Sequence, residues 1–382
     1  MKILFVCENY YPHLGGAEVL FKNLAERLCK NHEVSILTHH LKDTNKKENL
    51  NGVDIHRVSS FFSRYVFTFS SLPKAIRLAR KHDLVQTTTF NAAFPAWVAA
   101  KIAGKPVVLT VHEVWAGKWK QVTGFSWFKS GIHDLLERMI YFLPFDKYVC
   151  VSDATRRDLL KLGINKNKVE RVYNGLDYAF WNSSNFKEEE IEKIRKDLDL
   201  QDKFVYFSWG RSGSSKGFEY AIKAAKFIAE KIPNSVFLLM LGTPQKYKKK
   251  HQELLNLVST SSAREHIKII DSQSYAQLGC YLKAVDCVVV PSVSEGFGYT
   301  TVEAATMGVP VVVSDAGSLP EIVSGKYQIF KSKNILDLAE KVVKVANQEY
   351  QQKKVKKFEW KNSAEGYLEI YSSLLIPKAD PL

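Results

Sequence analysis

The sequence predicts an α/β protein with two domains, each built on a doubly wound parallel sheet. Three observations lead to this prediction. The chain has 382 residues, which is long enough for two hydrophobic cores. Short apolar runs alternate with helix-like segments over the first hundred residues. The same alternation starts afresh at Phe204, so we place the first domain at 1–177 and the second at 178–361, beginning with a charged linker at 182–202.

Apolar runs and helical spacing predict the elements of the first domain. Its strands are expected at 3–7, 34–38, 53–58, 84–88, 107–111, 148–152 and 169–173. Its helices are expected at 16–30, 73–81, 94–103, 126–143 and 153–162. Parallel strands that alternate with helices share one carboxyl edge, and ligands of such folds bind there.

The second domain follows the same rules. Its strands are expected at 204–208, 236–241, 267–270, 287–290, 311–314 and 327–330. Its helices are expected at 245–258, 299–307 and 335–346. The lysines at the start of the first of these, from Lys246 to Lys250, are interpreted as a solvated face.

The composition is that of a globular protein, with 46% hydrophobic residues. No apolar stretch approaches the ~20 residues that a membrane-spanning helix needs. The five cysteines lie in apolar segments without metal-ligand spacing, which favours reduced core residues in a cytoplasmic protein.

Basic residues exceed acidic residues, 54 to 40, and give a net charge of +14. Such an excess suits phosphorylated ligands, an anionic membrane or nucleic acid, or it is only a solvated lysine-rich surface. No zinc finger, RNA-recognition signature or arginine-rich arm accompanies it, so we expect no nucleic acid partner.

Gly15 and Gly16 lie at the turn from the first strand to the first helix. The turn lacks the Gly-x-Gly-x-x-Gly fingerprint of nicotinamide dinucleotide sites. The pair is therefore either a plain flexible turn or a place where the backbone approaches another ligand.

His112 follows the strand 107–111. A lone histidine at a strand end is usually structural. The carboxyl ends of parallel strands are also where the ligands of these folds lie, so His112 is a candidate site residue.

The segment 115–145 is rich in aromatic and basic residues and includes an amphipathic helix at 126–143. Three interpretations remain open at this point. The apolar face packs on the sheet, or it lies in a membrane interface and admits a lipid-linked acceptor, or its aromatic rings stack on a sugar.

A glycine-rich loop at 210–217 contains Arg211 and Lys216 but does not meet the spacing of a P-loop. Arginine grips a diphosphate with two parallel hydrogen bonds, and lysine supplies a point charge. Both side chains follow a strand, so we expect them at a phosphate site.

A strand–loop–helix unit at 287–307 is the stretch that most clearly indicates function. Its loop contains Gly296 and Gly298, which let the backbone approach a ligand, and the helix start suits a phosphate. Glu295 lies in the loop and Glu303 lies about a turn into the helix. Because carboxylates repel phosphate, we expect these two to accept hydrogen bonds from sugar hydroxyls. The combination indicates a nucleotide-sugar.

With seven residues between them, Glu295 and Glu303 resemble the Glu-x7-Glu signature of the retaining glycosyltransferases of family four. The surrounding string Pro-Ser…Glu-Gly-Phe-Gly…Glu-Ala…Gly-Val-Pro-Val-Val makes the resemblance specific. Three further stretches are similar to the family: Pro-x-x-Gly-Gly-Ala-Glu near the N-terminus, Gly-Arg-x4-Lys-Gly at 210–217 and Asn-Gly-Leu-Asp at 174–177.

The resemblance implies the GT-B fold, in which two Rossmann-like domains face a cleft and a closing helix, here about 362–376, crosses back onto the first. It also implies that the second domain binds a UDP- or GDP-sugar donor and that the first binds a saccharide or lipid-linked acceptor. The donor-binding residues implied are Gly15, Gly16, Arg211, Lys216, Glu295, Gly296, Phe297, Gly298, Tyr299, Thr300 and Glu303.

Individual roles follow from the same resemblance. Arg211, Lys216 and the backbone of 296–300 bind the diphosphate, Glu303 binds the ribose and Glu295 binds the donor sugar. His112 positions the sugar or its leaving phosphate. With Glu295, Arg211 and Lys216 it forms the expected catalytic set.

The predicted enzyme is thus a retaining hexosyltransferase of cell-envelope polysaccharide or glycolipid synthesis, cytoplasmic or peripheral at the inner face of an anionic membrane. The departing phosphate takes the acceptor proton in a front-face displacement. We expect no cofactor and no metal, because no Asp-x-Asp motif accompanies the site. A nucleotide-sugar epimerase of the same fold and a non-catalytic nucleotide- or carbohydrate-binding protein are the alternatives, and the sequence leaves the sugar, base and acceptor open.

Overall fold

The computed structural model describes residues 1–13, 15–59, 64–242 and 247–376. The chain forms two compact units. The first contains Met1–Lys118, Trp127–Gly175 and the chain from Phe358 onward. The second contains Trp119–Ser126 and Leu176–Lys357, so the short segment 119–126 groups with the second unit although the sequence analysis placed it in the first domain.

The helices, in chain order, are α1 (Gly16–Leu28), α2 (Arg64–Ser70), α3 (Leu72–Ala79), α4 (Ala93–Ala103), α5 (Trp119–Thr123), α6 (Trp127–Phe142), α7 (Asp153–Leu160), α8 (Glu188–Asp197), α9 (Phe218–Lys231), α10 (Lys248–Ser259), α11 (Tyr275–Lys283), α12 (Tyr299–Thr306), α13 (Leu319–Ile322), α14 (Ile335–Ala346) and α15 (Trp360–Leu375).

The strands, in chain order, are β1 (Lys2–Val6), β2 (Glu33–His39), β3 (Lys47–Leu50), β4 (Val53–Val58), β5 (Leu84–Thr88), β6 (Val107–Val111), β7 (Lys147–Cys150), β8 (Val169–Arg171), β9 (Phe204–Gly210), β10 (Ser235–Leu241), β11 (Ile267–Asp271), β12 (Cys287–Val290), β13 (Val311–Ser314), β14 (Gly325–Phe330) and β15 (Gln351–Lys353).

The sheet of the first unit has the strand order β3-β4-β2-β1-β5-β6-β7-β8. Its pairs are parallel except for β3 and β4, which are antiparallel. Ile3 on β1 lies opposite Val34 on β2 and Leu84 on β5. Every residue of β5 and β6 is buried, because helices cover both faces of the sheet. This two-sided burial explains why these strands are continuous apolar runs.

Helix α15 belongs to the first unit although it follows the second unit in sequence. Tyr367 shares a hydrogen bond of 2.9 Å with Thr110 of β6, and Tyr371 donates one of 3.0 Å to Gln86 of β5. These buried polar pairs fix α15 on the sheet, since an unpaired partner at either end would be costly.

The sheet of the second unit has the order β11-β10-β9-β12-β13-β14-β15 and is parallel except for its last strand. Every residue of β10 is buried. The strand order reverses between β9 and β12, which are neighbours, so the loops that follow these two strands leave the same edge of the sheet side by side.

The structure confirms the α/β prediction, and the strands end within two residues of their predicted bounds. The antiparallel edge strands β3 and β15 were not predicted, nor were the helices α2, α5, α11 and α13. The predicted helix at 245–258 begins outside the described residues, which exclude Lys246, and its described part is α10, on which Lys248 and Lys249 are exposed. All five cysteines are free thiols, and all except the half-buried Cys29 are buried.

Candidate functional site

The loop after β9 carries the two predicted cations. Arg211 follows the strand directly, and a single 3-10 turn at Ser214–Lys216 leads to Gly217 at the start of α9. Gly217 has φ +64°, and a Cβ added there would lie 2.1 Å from the carbonyl oxygen of Pro291. Glycine is therefore needed for the loop to lie against the end of β12.

The loop after β12 is held by backbone contacts around Glu295. Ser318 donates its N–H and its hydroxyl to the carbonyl oxygen of Glu295, over 3.0 and 3.1 Å. A Cβ added to Gly317 would lie 2.2 Å from that oxygen. Gly298, with φ +92°, then turns the chain into α12. The backbone that presents the Glu295 side chain is thus closely confined.

These two loops bring Lys216 and Glu295 together. The Lys216 Nζ lies 2.8 Å from the Glu295 Oε2, and the two side chains are 23% and 15% exposed. The hydroxyl of Ser292 donates to the same carboxylate oxygen over 3.2 Å. An ammonium group has three N–H donors, so Lys216 keeps further donors for a ligand.

Arg211 is exposed and forms no ion pair within the described part of its unit. Its guanidinium group offers five N–H donors and a positive charge at this sheet edge. It differs in this respect from Lys216, whose charge is partly offset by Glu295.

Helix α12 begins beside the two loops. Thr300 in its first turn contributes to a small hollow that is also lined by Trp209, Lys216 and Ser292. The Thr300 hydroxyl oxygen is buried and has no hydrogen-bond partner among the described residues. A helix start, a lysine and an unpaired hydroxyl offer donors to one point, which suits an anion such as phosphate.

Glu303 lies in the same helix and is buried. Tyr275, the first residue of α11, donates its hydroxyl to the Glu303 Oε1 over 3.2 Å. Burial raises the pKa of Glu303 to about 7, although the Tyr275 hydrogen bond and the charge of Lys216 both act against this rise. At neutral pH the carboxyl group is therefore close to its titration midpoint.

The first unit contains the remaining predicted residues. Gly15 precedes α1 with extended backbone (φ −161°), a conformation open to any residue, and Gly16 is the first residue of the helix. His112 follows β6, and its Nε2 is buried without a hydrogen-bond partner among the described residues. Burial lowers the pKa of His112 to about 4, against the opposing charge of Glu18, so the ring is neutral at pH 7.

The structure thus places Lys216 and Glu295 in direct contact and Thr300 beside Lys216. The first unit contains Gly15, Gly16 and His112, and the second unit contains the other candidate residues. Sequence reasoning missed Tyr275 as the partner of Glu303. Nothing in the spacing of the two residues signals this contact, because α11 and α12 are separated by β12 and its loop.

Helix α6 presents the most exposed apolar surface in the described chain. Trp127, Phe128 and Phe142 are 80%, 71% and 81% exposed. Ile132, Leu135, Leu136 and Met139 continue this surface along the helix. The buried side of α6 is formed instead by Ser130, Glu137 and Tyr141. The interpretation that the apolar face packs on the sheet is therefore wrong.

No helix in the described residues combines the length and the apolar character that crossing a membrane requires. No group of three or more His, Cys, Asp and Glu side chains in the described residues is arranged to hold a metal ion.

A parallel sheet whose neighbouring loops gather cations, carboxylates and a helix start defines a class of α/β proteins that bind phosphorylated ligands. Comparison with known proteins identifies the family. Residues 14–180 match Glycosyltransferase Family 4, and residues 190–361 match Glycosyl transferases group 1. The chain belongs to the family-four, group 1 glycosyltransferases.

Individual relatives agree with this assignment. An uncharacterised glycosyltransferase of Methanocaldococcus jannaschii is 28% identical over 85% of this chain and 83% of its own length. A subunit of phosphatidylinositol N-acetylglucosaminyltransferase from Saccharomyces cerevisiae is 22% identical over 97% of this chain and 83% of its own length.

A solved structure shows the same fold. HepE of Anabaena, crystallised in complex with UDP, is 19% identical, has a TM-score of 0.77 and aligns with 98% of this chain and 100% of its own. The predicted GT-B architecture is thereby confirmed.

Proposed function

We propose that this protein is a retaining glycosyltransferase that takes a hexose-type sugar from a UDP- or GDP-sugar and moves it to a saccharide or lipid-linked acceptor. The observation that carries the proposal is the contact between Lys216 and Glu295 at the start of α12. A cation and an acid held 2.8 Å apart can serve adjacent parts of one ligand, the diphosphate and the sugar. UDP is the first donor nucleotide to test, because HepE, which shares the fold, was crystallised with it.

Breaking the bond between the sugar and the diphosphate leaves negative charge on the phosphate nearer the sugar. Lys216 is positioned to stabilise this charge, with Arg211 as a second cation on the same loop. Positive groups fixed in place before the reaction lower the barrier without further reorganisation. The Thr300 hydroxyl and the first N–H groups of α12 are further donors to the phosphate oxygens.

The two carboxyl groups are proposed to accept hydrogen bonds from hydroxyl groups. Glu295 would accept from those of the donor sugar, and Glu303 from those of the ribose. Glu303 accepts one hydrogen bond, through Oε1, from Tyr275. A carboxylate accepts several hydrogen bonds, so its other oxygen can accept from a ligand. His112, neutral at pH 7, is proposed to position the sugar or its leaving phosphate rather than to carry a proton.

The stereochemical and metal requirements belong to the same proposal. Retention is tested by proton NMR of the freshly formed product, in which the anomeric coupling must match that of the donor.

No cofactor is proposed, and the cations of the loop after β9 are proposed to make a divalent metal unnecessary. EDTA should therefore leave turnover unchanged, and loss of activity that Mg²⁺ restores would contradict this part.

A thermal-shift panel of UDP-, GDP- and ADP-sugars tests the proposal directly, because a ligand that binds the folded state raises Tm. We expect a rise with a UDP- or GDP-sugar that Arg211→Ala removes. No rise with any nucleotide-sugar would contradict the function. Free epimerised sugar in the absence of an acceptor would favour an epimerase instead.

The apolar face of α6 supports peripheral membrane contact at the inner face of the cell membrane. The acidic residues of this helix are engaged within the protein: Glu137 is buried, and Asp134 accepts from the N–H of Gly117 and pairs with Arg138 over 2.7 Å. The face itself carries aromatic rings and Lys129, and the whole chain has a net charge of +14. Helices of this composition bind at the boundary of headgroups and acyl chains.

Vesicle sedimentation tests this contact. We expect the protein to pellet with vesicles that contain phosphatidylglycerol and less with pure phosphatidylcholine, since negative lipids attract basic proteins. The triple variant Phe128→Ser, Leu135→Ser, Phe142→Ser should stay in the supernatant. Leu336→Ser, which removes an equally exposed leucine from α14, is the matched control. Equal pelleting of the triple variant and the control would contradict the membrane contact.

A further inference from the structure

Helix α10 is tied to the loop that carries Arg211. Ser212 follows Arg211 directly in the chain and is only 1% exposed. Its hydroxyl shares a hydrogen bond of 3.0 Å with the Nδ1 of His251, which lies on α10. A hydroxyl and an imidazole ring can each donate or accept, so the pair can form in either direction. A buried hydroxyl next to the proposed phosphate cation is therefore held by a helix outside the loop.

Two further residues at the start of α10 contact the same part of the unit. Tyr247 directly precedes the helix, and a Cβ added to Gly213 would lie 3.4 Å from its ring. Lys250 donates to the Oε1 of Glu219, in the first turn of α9, over 3.0 Å. Tyr247, Lys250 and His251 have the spacing i, i+3, i+4, which places them on one face of the helix. This face thus contacts the loop and the helix that follows it.

The backbone of Arg211 is also confined by the end of β10. Gly242 follows this strand and donates its N–H to the carbonyl oxygen of Gly210 over 2.9 Å. A Cβ added to Gly242 would lie 3.6 Å from the Arg211 Cα. The carbonyl oxygen of Arg211 accepts from the N–H of Gly213 over 2.7 Å. The Arg211 side chain is exposed, so a mobile charged group stands on a fixed backbone. Less conformational freedom is lost on binding when the backbone is fixed beforehand.

We propose that His251 is a positioning residue for the diphosphate: its hydrogen bond to Ser212 fixes the backbone from which the Arg211 side chain reaches the ligand. This inference rests on the proposed function and adds α10, a helix that contains none of the predicted site residues. His251 does not touch the ligand and acts through Arg211. Its loss should therefore weaken binding by less than the loss of the guanidinium group itself.

Titration calorimetry of UDP and GDP into the whole protein tests the proposal. His251→Leu removes the hydrogen bond, whereas His251→Asn keeps a polar atom bonded to Cγ, where the Nδ1 stands. We expect the Kd of the tighter nucleotide to rise about 3- to 10-fold in His251→Leu, the size expected for one hydrogen bond. His251→Asn should restore most of the affinity, and failure of this rescue would overturn the proposal.

The two partners of the hydrogen bond should act as one unit. Ser212→Ala should raise Kd as much as His251→Leu, and the double variant should show no further rise, because each change removes the same bond. In the background of Arg211→Ala, His251→Leu should leave Kd unchanged, since no guanidinium group remains to be positioned. A merely structural role would weaken binding equally with and without Arg211, and this result would overturn the proposal.

His266→Leu is the matched control. The His266 Nδ1 forms a hydrogen bond of the same length, 3.0 Å, with the carbonyl oxygen of Ser235. His266 precedes β11 and Ser235 begins β10, so this bond lies at the amino ends of the strands, away from the loop after β9. His266→Leu should bind the nucleotide as tightly as the wild type. A rise in Kd as large as that in His251→Leu would overturn the proposal.

The outcomes separate the two levels of inference. If the wild type binds neither UDP nor GDP, the proposed function itself fails. If it binds one of them and His251→Leu and Ser212→Ala bind it equally well, the role of His251 alone is overturned.

Discussion

The two units share the same construction, but the candidate residues at the ends of their strands differ in chemistry. In the second unit, the loops after β9 and β12 hold Arg211, Lys216 and Glu295, and the buried carboxyl group of Glu303 follows in α12. In the first unit, His112 follows β6, and its ring is neutral at pH 7. The strand ends compared here therefore carry charged side chains in the second unit and a neutral ring in the first.

This difference shows what a shared fold does and does not determine. Both edges follow from parallel strands that alternate with helices. The chemistry follows from single side chains and their burial. Burial acts on both titratable groups in the same physical way, by favouring the neutral form, and so it raises the pKa of Glu303 and lowers that of His112.

A substitution at Lys216 tests the role of the charged loops in the second unit. Lys216→Ala removes a cation from the proposed phosphate site and leaves Glu295 without its ion-pair partner. We expect kcat/KM for sugar transfer to fall about 10²- to 10³-fold, as for the loss of one preorganised donor to a developing negative charge. Steady-state kinetics with the donor found in the thermal-shift panel measures this effect.

Lys249→Ala is the control for that prediction, because Lys249 is an exposed lysine on α10, outside the two site loops. Its kcat/KM should match the wild type. A fall in kcat/KM of less than about threefold in Lys216→Ala would contradict the binding of the phosphate by Lys216.

The opposite pKa shifts can be separated by urea unfolding at several pH values. The pKa of Glu303 is raised from 4.5 to about 7, so its stabilising contribution is complete below pH 4.5 and is lost as the pH rises through 7. The pKa of His112 is lowered from 6.5 to about 4, so its contribution is complete above pH 6.5 and is lost as the pH falls through 4.

Between pH 4.5 and 6.5, Glu303→Gln and His112→Asn should therefore change the slope of the unfolding free energy against pH in opposite directions. Over the full titration of each group, the unfolding free energy should change by up to about 3 kcal/mol. Slopes that change in the same direction would contradict the difference between the two edges.

The close contact of the two loops in the second unit can be tested at Gly217. Gly217→Ala places a Cβ against the carbonyl oxygen of Pro291, whereas Gly163→Ala in the first unit meets nothing within 4 Å. Both glycines have positive φ, so the pair isolates the clash from the backbone strain. We expect Gly217→Ala to lower the free energy of unfolding by about 2 kcal/mol more than Gly163→Ala. Equal losses would mean that the loop relaxes away from β12.

Much of the fold could be predicted from the sequence because buried parallel strands are continuous apolar runs. The meeting of Lys216 and Glu295 followed from the same logic, since both lie in loops at the carboxyl edge of one sheet. The motif around Glu295 and Glu303 was informative because it fixed two acids, two glycines and a helix start in one stretch.

Other features depend on contacts that no local pattern encodes. The Tyr275–Glu303 pair joins residues 28 positions apart across a strand and a loop. The periodicity of α6 gave its apolar stripe but not the direction in which that stripe points. The antiparallel strands β3 and β15 are short and polar, so they lack the apolar signal of the central strands.

The account depends on a diphosphate bound by the second unit, and titration calorimetry of UDP and GDP into the wild type and Arg211→Ala tests this most directly. Arg211 has no ion-pair partner within the described part of its unit, so its removal leaves no buried charge behind. We expect the wild type to bind one nucleotide per chain and Arg211→Ala to bind it at least tenfold more weakly, since hydrogen bonds between charged groups contribute about 1.5–3 kcal/mol. Absence of binding, or equal affinity in the two proteins, would contradict the account.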